Sequence, residues 1–119
     1  MEDPVPIRVQ SRDTGVQITL AGAIDFTNAH TVSQTLVAAV SAQHPAKIQL
    51  DLSEATFFDS SGIGVLVMAK RLADRTGADY AITGPTTEVY EHLRIVGLAQ
   101  LWNVPGPGDA TRRAAQGRH

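Results

Sequence analysis

Along the first half of the chain the apolar positions change period twice. Ile7 and Val9, then Val16, Ile18 and Leu20, alternate with polar residues on either side of Asp13-Thr14-Gly15, which predicts two short strands joined by a tight turn. From residue 27 to 42, Val32, Leu36, Val37 and Val40 form the stripe of an amphipathic helix, with Pro45 just beyond its end. Lys47 to Leu52 returns to a period of two, a strand ending near Leu52, and residues 53–60 read as a loop carrying Phe57 and Phe58.

In the second half, Ile63, Leu66, Val67, Met68 and Leu72 cover more than one stripe of a helix over 61–74, which predicts burial on several sides. Tyr80 to Thr83 reads as a short strand after Gly77. Residues 86–96 form a helix whose Val89, Leu93 and Val96 share a face, with Gly97 placed as its C-cap and Leu101 to Val104 as a last edge strand. The order β-β-α-β-α-β-α-β predicts an α/β domain: a mixed sheet of four or five strands with an N-terminal hairpin, packed against three to four helices. Its core is predicted to hold Ile18, Leu20, Leu36, Val40, Ile48, Leu50, Leu66, Val67, Ile82, Val89 and Leu93. Phe57 and Phe58 are neighbours in extended chain, so they point to opposite faces, one inward and one outward. Trp102 reads as a core or edge-packing residue.

With 119 residues the chain is long enough for one core. The periodic region gives a single domain over 5–104 and a loosely ordered tail over 105–119. A net charge of -2, with basic residues clustered only from Arg112 to Arg118, argues against binding to nucleic acid or to an anionic membrane. The absence of cysteine excludes a disulfide, a thiolate zinc site and a cysteine nucleophile, and fits a reducing compartment. Met1 to Gln10 lacks the basic and then apolar stretch of a secretory signal. The apolar run Gly62 to Ala69 is far short of the roughly 18 residues that span a bilayer, so the expected location is cytoplasmic.

Chemistry-bearing clusters are few. His30, His44, His92 and His119 are scattered, and no metal or other cofactor is implied. The glycines around Ile63 and Pro107 are not followed by the Lys-Ser/Thr of a phosphate loop. Phe58-Asp59-Ser60-Ser61-Gly62 lacks the first glycine of a hydrolase nucleophile elbow, so an enzyme is not expected. The same segment is nevertheless the most informative one. Asp59, Ser60 and Ser61 are all strong N-cap residues and one would suffice, while Gly62 and Gly64 each cost a helix about 1 kcal/mol relative to alanine. Two readings stand side by side. Either these residues only cap a helix and permit close packing, or an exposed hydroxyl at a helix N-terminus is a phosphorylation site, where the dianion meets free amides and the positive end of the helix dipole.

The segment from Asp51-Leu52 through Phe57-Phe58 to Asp59-Ser60-Ser61-Gly62-Ile63-Gly64-Val65 resembles the signature of the STAS family. Gly22-Ala23-Ile24-Asp25 is similar to that family's Gly-Glu-Leu-Asp, and Gly84-Pro85 to Val89, Leu93 and Gly97-Leu98 are similar to its C-terminal strand-helix-Gly-Leu segment. The resemblance runs from Val5 to Trp102. It implies an anti-sigma factor antagonist whose phosphoacceptor is Ser60, phosphorylated with magnesium ATP by a serine kinase that is also the anti-sigma factor, and restored by a serine phosphatase. It further implies that Asp25, Asp59, Ser61 and Gly62 border the partner surface. Ala23 stands where many relatives carry Glu, which removes a charged contact. The alternative within the same family is a non-catalytic subunit of a larger signalling or transport assembly.

Overall fold

The N-terminal alternation folds as an antiparallel hairpin of β1 (Ile7–Arg12) and β2 (Gly15–Ile24), in register from Ile7 opposite Leu20 to Arg12 opposite Gly15. A computed structural model describes residues 5–107; residues 1–4 and 108–119, with the basic tail and His119, lie outside the described residues. β2 pairs in parallel with β3 (Lys47–Phe58), and β3 in parallel with β4 (Asp79–Thr83), giving the sheet order β1-β2-β3-β4. The crossovers are α1 (Ala29–Gln43) and α2 (Ser60–Thr76). Both advance the same way across the sheet, so right-handed connections put them on one face, where they pack against each other. α3 (Thr87–Ile95) and a single turn, α4 (Leu98–Leu101), complete the chain.

Register explains why one face is apolar. Val9, Ile18, Leu50 and Ile82 stand in one row across the four strands, and Ile18, Leu50 and Ile82 are buried. The rows on either side, Gln10-Gln17-Gln49-Ala81 and Arg8-Thr19-Asp51-Thr83, point the other way, as strand alternation requires. Val32, Leu36 and Val40 of α1, Leu66 and Ala69 of α2, and Val89 and Leu93 of α3 join the apolar row in one core. Tyr80 donates a hydrogen bond to the Leu66 carbonyl at 2.8 Å and meets Trp102 edge-on at 5.5 Å, so Trp102 is a packing residue.

Three expectations are corrected. Val67 is only half-buried; its place in the core is taken by Val65, Leu66 and Ala69, because α2 lies against the sheet on one side and leaves its opposite side to solvent. The terminal edge strand at 101–104 does not form: Gly97 turns the chain with φ 87°, one helical turn follows, and Asn103 with φ 53° folds the Val104 amide back to the Ala99 carbonyl. The loop at 53–60 is strand as far as Phe58.

Candidate functional site

That last difference builds the site. β4 ends its pairing at Thr83 opposite Asp51 and β1 ends at Ile7 opposite Leu20, but β2 and β3 continue together to Ile24 opposite Phe58. The sheet therefore narrows to a two-stranded arm. Register shifts between Thr19 and Ala21 and between Gly22 and Ala23 add residues on the β3 side, and Gly22 takes φ 72° at the second. Burial along β3 consequently changes from every second residue to every third, at Leu52, Ala55 and Phe58. The bulges turn Phe58 into the core and leave Phe57 outward and 52% exposed, as adjacency in extended chain predicts.

Asp59 follows at the tip of the arm. It is extended, with φ -90° and ψ -170°, and is the N-cap of α2: its Oδ1 accepts from the Gly62 amide at 2.9 Å. Its Oδ2 accepts from the Phe26 amide at 3.0 Å, so one carboxylate ties the start of α2 to the loop between β2 and α1. Ser60, the first helical residue, is exposed, and Ser61 is half-buried. Gly62 is buried, and a Cβ there would lie 2.0 Å from the Ile24 carbonyl oxygen, so close packing of α2 on the end of β2 accounts for this glycine. Gly64 is exposed, and a Cβ there would meet nothing within 4 Å.

The β2–α1 loop is fixed by its own side chains. Asp25 Oδ1 accepts from both the amide and the hydroxyl of Thr27. These bonds, the hydroxyl's first, hold the Asp25 carboxyl below its usual range. Asn28 accepts from the Asp25 amide at 3.0 Å and donates to the Ala23 carbonyl at 2.9 Å. With Asn28 turned back in this way, α1 starts at Ala29 rather than at residue 27. A cleft of about 380 Å³ beside the loop is lined by Ala23, Asp25, Thr27 and Asn28 together with Pro6, Ala21 and Gly22.

Ser60, Asp59, Asp25, Ser61 and Gly62 are thus gathered at one end of the molecule, with Asp59 as the joint between two loops. Sequence reasoning missed Phe26. It is 79% exposed, the most exposed large apolar side chain among the described residues, yet its amide is pinned by Asp59. A lone aromatic outside any periodic stripe gives no signal of that kind.

A family model described as "Mlab, STAS domain" matches residues 7–104. The chain belongs to the STAS domain family. Over 98 residues, 82% of this chain and 85% of the relative, it is 26% identical to an anti-sigma-B factor antagonist of Listeria monocytogenes. An anti-sigma factor antagonist from Mycobacterium paratuberculosis superposes with a TM-score of 0.73 at 20% identity, covering 89% of this chain and 90% of that one. The anti-sigma factor antagonist SpoIIAA in its unphosphorylated form gives 0.71 at 18% identity, over 92% and 96% of the two chains. The phosphorylated form of SpoIIAA, a Bacillus cell fate determinant, gives 0.65 at 17% identity, over 91% and 98%. At these identities the solved structures establish a shared fold.

Proposed function

We propose that this STAS domain is an anti-sigma factor antagonist switched by phosphorylation of Ser60. Unmodified, it binds a serine kinase that is also an anti-sigma factor, and the sigma factor is released; phosphorylated, it lets the kinase go until a serine phosphatase restores it. The observation that carries this reading is the exposure of Ser60 at the first position of a 17-residue helix. The names of the relatives, and the two forms of SpoIIAA, support it. The domain is the substrate in this reaction and supplies only a nucleophile. Ser60 Oγ forms a bond to the γ-phosphorus of magnesium ATP, the bond from that phosphorus to the β-phosphate oxygen breaks, ADP leaves, and the hydroxyl proton passes to a base of the kinase.

Phosphate at this position finds the first-turn amides and the helix dipole, so the domain has no reason to unfold. Asp59 already uses both its carboxylate oxygens. The new dianion sits beside it and must be desolvated against a partner surface shaped for a neutral hydroxyl. An uncompensated buried charge costs several kcal/mol and each 1.4 kcal/mol or so is tenfold in affinity, which sets the expected loss at about a hundredfold or more. The test incubates the protein with the anti-sigma serine kinase of its source organism and magnesium ATP. One phosphate on Ser60, none on Ser60→Ala, and weakened kinase binding at an unchanged melting temperature are expected. Label on another residue overturns the choice of Ser60, and a large fall in melting temperature shows that the switch is conformational.

A further inference from the structure

We propose that Phe26, Phe57 and the bare helix surface at Gly64 form the docking surface by which the serine kinase seats Ser60; this rests on the function proposed above. A kinase must bring its γ-phosphate within about 3.5 Å of the Ser60 oxygen. A stable complex covers on the order of 800 Å² of each partner, a disc of about 16 Å radius. Phe57 is three residues from Ser60, within about 11 Å by chain length. The 3.0 Å bond between the Phe26 amide and Asp59 keeps Phe26 within about 12 Å of Ser60 by the same reasoning. A surface of that size centred on Ser60 reaches the positions of both phenylalanines.

They are also built as anchors. Both residues are more than half exposed, 79% for Phe26 and 52% for Phe57, while their backbones are fixed by the Asp59 bond and by the Ala23–Phe57 pairing. Aromatic side chains on rigid backbone lose little freedom on binding and carry large apolar area, the combination found at interface hot spots. Gly64 supplies the third element. Gly62 is required by the Ile24 carbonyl 2.0 Å from its Cβ position, but nothing in the free domain requires a glycine at 64. Gly64 lies one turn beyond Ser60 on the same face, with half-buried Val67 a turn further. Its missing side chain lets the partner's backbone come close beside the acceptor.

Titrating the full chain against the kinase with magnesium ADP tests the assignment without phosphate transfer. Phe26→Ala and Phe57→Ala are each expected to weaken binding at least tenfold, with Phe57→Thr as the variant that keeps a strand-compatible residue should the alanine form fold poorly. Gly64→Ala is the sharper test, because it is expected to raise the melting temperature while weakening kinase binding at least tenfold, a pair of signs that a purely structural glycine cannot produce. Unchanged affinity in the folded phenylalanine and Gly64 variants, with Ser60 still labelled, overturns the docking surface and leaves the proposed function standing. A wild-type chain that neither binds the kinase nor gains phosphate at Ser60 overturns both. If the phenylalanine changes instead convert a dimer of this chain to monomer in sedimentation and leave kinase binding unmoved, the surface belongs to a second copy and the assignment is wrong.

Discussion

The four-stranded body of the sheet and the two-stranded arm beyond it are made from the same two strands, yet they obey different rules. In the body, β3 alternates in burial, Ile18 lies beside Leu50, and the apolar row shares one core with side chains of the helices. In the arm the neighbours β1 and β4 have ended, two register shifts break the alternation, and Phe57 and Phe26 are left outside. Removing the flanking strands removes the constraint that holds a sheet to a single register. The body is thus specified by packing. The arm still packs Ile24, Ala55 and Phe58 into the core, but its tip is specified by polar bonds: Asp59 to Gly62 and Phe26, and Asp25 and Asn28 around their own loop. Damage to the body should appear as lost stability, and damage to the arm as lost function with most of the fold intact.

The largest effect belongs to the body. Leu66 is fully buried between the helices and the sheet, and Leu66→Ala is expected to cost about 2–5 kcal/mol in denaturant unfolding. Kinase labelling of Ser60 in the fraction that remains folded should stay normal. A loss of less than about 1 kcal/mol contradicts the packing described for α2.

Gly62 joins the two regions and comes next. A methyl group there collides with the Ile24 carbonyl, a backbone atom, so α2 must shift away from the end of β2. Gly62→Ala is expected to cost about 1–3 kcal/mol by overpacking, despite the higher helix propensity of alanine, and to slow labelling of Ser60 because the shift moves the acceptor. Gly62→Ala and Gly64→Ala should therefore move the melting temperature in opposite directions, although the two positions lie within one turn of the same helix. Equal shifts would show that the close approach to Ile24 is relaxed in solution.

The same division marks what could be read from the sequence. The body was legible because its periods were intact: the hairpin, β4, α2 and α3 fall where alternation and three-four spacing put them, and ten of the eleven predicted core residues are buried, Val67 being the exception. The start of α2 was legible beside Ser60, and the helix begins at Ser60 itself. The arm was not. Ser53, Glu54 and Thr56 interrupt the alternation, and a bulged strand paired on one side looks like a loop until its register is known. Asp59 was legible as a cap through its residue type and position, but its second bond, to Phe26, joins residues 33 apart in the chain and has no local signature.

The smallest expected effect lies in the loop of the arm and is a dependence on pH. Asp25 has a carboxyl pKa lowered first by the Thr27 hydroxyl and then by the Thr27 amide, both of which favour the charged form. A group whose pKa is depressed on folding stabilises the folded state fully above its unfolded value, near 3.9 for Asp, and the contribution is lost as pH falls through the folded value. Asp25→Asn keeps an oxygen for Thr27 but never carries the charge. The melting temperature of the wild type should thus exceed that of Asp25→Asn by a small margin above about pH 5, and the margin should close below about pH 4. Thr27→Val removes the leading cause, so the Asp25 carboxyl resonance in that variant should titrate at higher pH than in the wild type. A margin that widens as pH falls, or an Asp25 titration unmoved by Thr27→Val, would show that the loop is not held by the Asp25 charge and that its order comes from Asn28 and Asp59 alone.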